Sequence, residues 1–377
     1  MSQDNLLIVA DSARCADLRY AVGLCVPAPF IYLRVNGRGY AVLGDAELDR
    51  VGRQGRKCRV LSLSRCQRQL RRAGEKHPGL AAVIRLLVGK KDAGRLLVPA
   101  DFPLGLAREL RHLKVRVRPR TGELFFPERE FKSAEEMEMI RAAVVMAEVG
   151  LAEAIQALKD SKIGPREQLI YHGSPLTAEK LRGIIQVAIL QAGGQASRTT
   201  VAGGRQGCDL YEIGSGPLPA HRPITLQVFP RSEKTGYYAN IARTVVRGRA
   251  SEPVRKLYAA VKDAQEIALD RLCDGARARE VHATVQDHFV REGFRTSRAK
   301  GAQRGFLHAT GHGLGLAPSE PPHLTAASDE VLRPSQVVAL HPALYYPEFG
   351  GVRVGDVAVV TRNGARNLTQ FEKVLEV

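Results

Sequence analysis

The sequence predicts an α+β protein of two domains, a smaller α/β domain over residues 1–125 and a larger α+β domain over 133–377. Three observations lead there. The chain has 377 residues, more than a single hydrophobic core usually serves. Roughly its first 120 residues alternate short apolar runs with polar, helix-forming stretches. Beyond them, a capped helix opens a region in which long helices alternate with strand-like segments.

In the first domain, LLIVA, PFIYLRV, GYAVLG, RLLVPA and KVRVRP read as strands, because they are apolar or alternating and bounded by turn-forming residues. TGELFFPEREF, residues 121–131, reads as a linker. The second domain then opens on a capping box. The Ser133 hydroxyl and the Glu136 carboxylate can each satisfy a backbone N–H at the helix start. Met137, Ile140, Val144, Ala147, Leu151, Ile155 and Leu158 follow as one apolar stripe, predicting a helix over 133–160. Pro253 starts a second helix, over 253–273, broken by Gly275. A third covers 277–292 and stops at Gly293. PITLQVFP, ANIARTVVRG, VVALHPALYY and VRVGDVAVVT read as strands.

Hydrophobic content of 44% with 25% charged residues excludes a disordered chain. No apolar run is long enough to cross a bilayer, and the N-terminus lacks a basic-then-apolar signal, so no membrane partner and a cytoplasmic location are expected. The six cysteines form neither a CxxC pair nor a regular framework, and read as reduced thiols.

Charge is unevenly spread. Of the net +17, residues 1–130 carry +12, from 25 Lys/Arg against 13 Asp/Glu. Residues 51–72 hold eight bases and no acid, with Arg65, Arg68 and Arg72 at helical spacing, and Lys114, Arg116 and Arg118 alternate along a strand-like run. Read as function, this points to an anionic partner. No stacking aromatics interleave the bases and no nucleic-acid motif accompanies them, so the reading taken is a solvated surface that binds polyanions weakly.

Four motifs then occur in order over about 150 residues: GSGPL from Gly214, VFPRSEKTGYYANIARTVVRG from Val228, HATGHGLGL from His308, and ALHPALYYPEFGGVRVGDVAVVT from Ala339. This run resembles the creatinase, Xaa-Pro aminopeptidase and methionine aminopeptidase family. The capping-box helix and the DLRYAVG segment at Asp17 match the layout of that family's N-terminal region. The resemblance implies a pita-bread fold for the second domain, a curved and mostly antiparallel sheet covered by the three helices. It also implies a homodimer.

The family's peptidases hold two divalent metals through two Asp, one His and two Glu. Carried onto this chain, those positions fall on Gln227, Asn240, His312, His341 and Gly355, so His312 alone keeps its family identity. The family's substrate-binding His falls on Tyr211, and the His of its HExP element on Ser319, while Glu320, Pro322, His308 and Arg353 are retained. Asp356 does not stand in for Gly355, because neighbours on a strand point to opposite faces.

Two adjacent divalent cations need bridging carboxylates to offset their repulsion, and hard metals bind amide oxygens weakly. No metal pair and no cofactor are therefore expected. The sequence leaves three uses open for the remodelled pocket. It could bind a peptide or small molecule without turning it over. It could do metal-free acid/base chemistry through His308, His312, His341 and Tyr211, since His titrates near neutrality. Or one ion could sit on His312, His341 and His308. Gln227, Asn240, Ser319, Glu320 and Arg353 are the expected pocket and substrate-binding residues. Creatinase works without metal, but its acid/base His falls on Tyr211 here, which removes that chemistry's main actor.

Overall fold

The structure is a computed structural model and describes residues 4–54, 58–89, 95–196, 198–299 and 302–377. It contains two compact units, Met1–Arg129 and Glu130–Val377.

The first unit is built on a six-stranded mixed sheet. Leu6–Ala10 pairs antiparallel with Phe30–Val35 on one side and parallel with Arg95–Val98 on the other. Both faces are covered. Leu7, Ile31 and Leu33 enter one apolar cluster while Leu6, Ile8 and Tyr32 enter another. That is why LLIVA is apolar without alternation. Arg116–Pro119 is an edge strand, and Lys114 precedes it with φ of +61°, so only Arg116 and Arg118 share a strand face. Arg65, Arg68 and Arg72 lie exposed on the helix Leu63–Arg72, while residues 55–57 of the basic stretch fall outside the described residues.

The expected linker is not a spacer. Phe125 and Phe126 are buried, and the Phe126 ring lies 5.7 Å from Tyr20 and 6.1 Å from Tyr32. Arg129 closes on Asp17 at 2.8 Å. A paired aromatic step gains more from burial than a linker can offer it, and the chain stays in the first core to that point.

In the second unit the helix Ala134–Asp160 carries the capping box, with Ser133 Oγ accepting from Glu136 N–H at 3.2 Å and Glu136 Oε2 accepting from Ser133 N–H at 2.9 Å. A helix absent from the sequence reading follows at Ala178–Gln191. Its signal was modest: a Thr177 cap and a Leu181, Ile185, Ala188, Ile189 stripe. Gly150 lets it pack tightly, since a Cβ there would sit 2.9 Å from Ile189. Helices Glu252–Asp270 and Ala278–Arg291 complete the set, the former ending a few residues earlier than expected.

The strands of this unit pair antiparallel. Thr200–Gly203, Ile224–Val228 and Ile241–Val245 form one sheet. Glu320–Leu324, Gly311–Gly313, Val337–Leu340, Asp356–Thr361 and Gly364–Asn367 form another, in that order. VVALHPALYY and VRVGDVAVVT each break into two strands, and their second and first halves make the hairpin Ala343–Tyr346 with Gly350–Arg353. An antiparallel bridge between Ala242 and Gly355 joins the sheets. Among the described residues no helix is long and apolar enough to cross a membrane.

Candidate functional site

The bridge at Gly355 brings the ends and centres of several strands to one place. Gln227 sits opposite Ala242, with Asn240 just ahead of that strand, and His312 is central in Gly311–Gly313. His341 follows Val337–Leu340, and Arg353 ends the hairpin. A cavity of about 640 Å³ opens there, lined by Gln227, Asn240, His308, His312, His341 and Arg353, with Ser319 and Tyr211 also on its wall.

Gln227 and Asn240 are almost fully buried and bonded to each other, Gln227 Nε2 donating to Asn240 Oδ1 at 3.0 Å. The Gln227 oxygen accepts from Arg353 Nη1. Arg353 also donates to the Tyr345 hydroxyl through Nε at 3.2 Å and through Nη2. With its oxygen accepting from Arg353, Tyr345 is left to donate to His308 Nε2 at 2.8 Å, and the other His308 nitrogen donates to the Ala309 carbonyl at 2.7 Å. Both His308 nitrogens are therefore committed. His312 donates from Nδ1 to the Gly313 carbonyl at 2.9 Å, which leaves Nε2 as the acceptor nitrogen, and its ring centre lies 4.9 Å from that of His341. The His341 nitrogens are buried and bond to nothing among the described residues, and the same holds for Asn240 Nδ2.

All three imidazoles are held neutral at physiological pH. Burial pushes the His308 pKa down to about 3, with the Arg353 charge acting the same way. Burial likewise lowers His312, and pushes His341 well below the usual range, helped by repulsion from His312. Such rings are weak proton acceptors at pH 7, poorly matched to general acid/base work.

The other expected residues divide. Ser319 lines the cavity, but Glu320 does not: it is buried in an ion pair with Lys132 Nζ at 2.7 Å. Its place as a pocket residue is corrected, since a buried lysine beside it captures the carboxylate. Tyr211 is 82% exposed and belongs to the rim rather than to the histidine cluster. Asp356 points away, bonded to Arg243 and Gln265 at 2.8 Å and to Asn367 at 3.0 Å. At Gly355 a Cβ would lie 3.0 Å from the His341 Cβ, so the position is closely packed. Tyr345 was missed; its only sequence signal was membership of the strand-like VVALHPALYY.

These residues do not fit a pair of divalent cations. Among the described residues the cavity wall carries no carboxylate, its two central amides are bonded to each other, and both His308 nitrogens have partners. Among the described residues, no three His, Cys, Asp or Glu side chains are grouped to hold a metal ion.

The profile of Metallopeptidase family M24 matches residues 138–362. The uncharacterized peptidase YqhT of Bacillus subtilis is 39% identical over 140 residues, which span 37% of this chain and 37% of that protein. An Xaa-Pro dipeptidase of Pyrococcus horikoshii is 25% identical over 308 residues, covering 80% of this chain and 79% of the relative. Among solved structures, an Xaa-Pro dipeptidase from Bacillus anthracis superposes with a TM-score of 0.80 at 21% identity, over 99% of this chain and 95% of the other. An X-Pro aminopeptidase from Thermotoga maritima gives 0.80 at 17% identity, over 99% and 97%. At such identity the superpositions speak for the fold.

Proposed function

The chain belongs to metallopeptidase family M24, and from that premise we propose that it keeps the family's scaffold and pocket, lacks the two-metal peptidase reaction, and acts by binding a ligand. One observation carries the reading: where a metal pair would need bridging carboxylates, Gln227 and Asn240 stand bonded to each other beside the Arg353 guanidinium. A divalent cation there would meet a positive charge and neutral amides. Without a bound metal no water is acidified to hydroxide near neutral pH, and the buried histidines are too weakly basic to replace it.

The alternative of one zinc ion on His308, His312 and His341 is disfavoured because both His308 nitrogens already have partners. The test joins two measurements. Protein incubated with manganese, cobalt or zinc and then desalted should retain no stoichiometric metal by elemental analysis. The same samples should leave Xaa-Pro peptides uncleaved. Two equivalents of bound metal, with turnover abolished by a chelator, would overturn the proposal.

A further inference from the structure

Arg353 differs from three other inward-facing cations among the described residues, each of which is held by a carboxylate. Arg243 is paired with Asp356 at 2.8 Å, Lys132 with Glu320 at 2.7 Å, and Arg129 with Asp17 at 2.8 Å. Arg353 is half-buried against the pocket and its partners are an amide oxygen and a phenol; among the described residues it makes no ion pair. A partly desolvated charge without a counter-charge is costly, and a protein retains one where a ligand supplies the missing sign. Beside it, among the described residues, Asn240 Nδ2 is a buried donor with nothing to donate to, and His341 has two buried nitrogens with no partner. Orphaned groups of this kind are rare in folded proteins and mark a place where something else bonds.

We propose that this pocket is an anion site, in which a ligand carboxylate lies against Arg353, Asn240 and His341, in the place the family resemblance gives to the metal pair. The inference rests on the proposed binding function and names its ligand class. One uncompensated guanidinium at the pocket floor balances one negative charge, which selects a monocarboxylate over a dianionic phosphate. Planar oxygens also suit the guanidinium fork. Arg198, exposed at the pocket wall, adds a second positive charge at the solvent side and favours entry of an anion. Leu210, Ile213, Phe229 and Pro318 give the remainder an apolar side, with Thr200, Tyr211, Tyr238 and Ser319 as its polar part. The ligand is therefore a small organic acid, or a short peptide's terminal carboxylate, with an aliphatic body next to the acid group.

The experiment is calorimetric titration of the full-length protein at pH 7.5, with 4-methylvalerate, its neutral amide and inorganic phosphate as probes, alongside the metal analysis above. The acid should bind one to one, at least about tenfold more tightly than the amide or phosphate, the scale of one charged hydrogen bond. Arg353→Gln should remove the preference of acid over amide. Asn240→Ala should weaken the acid while keeping that preference. If Arg353→Gln does not fold, the comparison of acid, amide and phosphate on the wild type still decides. Equal binding of acid and amide, tighter binding of phosphate, or no binding of the acid overturns the carboxylate site. Protein that takes up neither metal nor acid sinks this inference alone, whereas two equivalents of manganese sink it together with the proposed function.

Discussion

Acidification should unfold this protein for a reason that can be traced to His308. In the unfolded chain its pKa is near 6.5, and in the folded protein burial and the Arg353 charge hold it at about 3. The folded value lies below the unfolded one, so the unfolded state binds the proton more readily between them. The stability this represents is complete above about pH 6.5 and is lost as pH falls toward 3. Between pH 7 and pH 5 the gap costs about 2 kcal/mol at 1.36 kcal/mol per unit, from this one residue. His312 and His341 act in the same direction. The chain has no tryptophan, so urea unfolding is best followed by circular dichroism, at several pH values from 7.5 to 5. His308→Gln is the control. Its amide can still donate to the Ala309 carbonyl and accept from Tyr345, but it does not titrate. Generalised charge repulsion in a +17 chain acts on both proteins alike. The wild type should therefore lose about 2 kcal/mol more than the variant over that span. Identical pH dependences would refute the claim that this imidazole is held neutral.

Three further outcomes are expected. Arg243→Met should destabilise by about 2–3 kcal/mol in urea unfolding, since it takes one of two cations from buried Asp356, leaving Lys373 at 3.2 Å, and releases the Phe371 and Glu372 carbonyls that Arg243 holds; a loss under 1 kcal/mol would remove that hub from the account. Combining Gln227→Asp, Asn240→Asp, His341→Glu and Gly355→Glu should restore manganese binding by elemental analysis, while Gly355→Glu alone should lower thermal stability because its Cβ meets His341 at 3.0 Å. The exposed bases Arg65, Arg68 and Arg72 should hold the protein on heparin with steep salt dependence, and retention equal to that of a neutral protein would dispose of the polyanion idea.

The legible parts of this chain were those where one local rule acts strongly. The Ser133 capping box, the Pro253 start and the apolar run at Leu6 each fix their element through a few neighbouring residues, and each is where the sequence placed it. The helix Ala178–Gln191 escaped because its stripe is moderate and its Thr177 cap faces Lys180 rather than the glutamate that completes a capping box. Phe125 and Phe126 were misplaced because nothing nearby says that Tyr20 and Tyr32 wait for them. The pocket positions came from the resemblance, and their meaning depended on partners distant in sequence. Glu320 left the pocket because of Lys132, and Tyr345 entered through Arg353 and His308. Neither relation has a local signature.

The position of Gln227, held between Arg353 and Asn240, also bears on how such a site can change over generations. A lone carboxylate arising at 227 would be captured by the neighbouring guanidinium before it could serve a cation, and the ion pair so formed would cancel the charge that now faces the cavity. One acid at 240 would add little for a metal and would lie close to the same pair. On the proposed reading, each first step toward a carboxylate-lined centre would therefore forfeit the charge that faces the cavity without yet holding a cation, and only several simultaneous replacements cross the gap. A site wired in this way would behave as a ratchet, since the Arg353–Gln227–Asn240 chain ties each position to its neighbour.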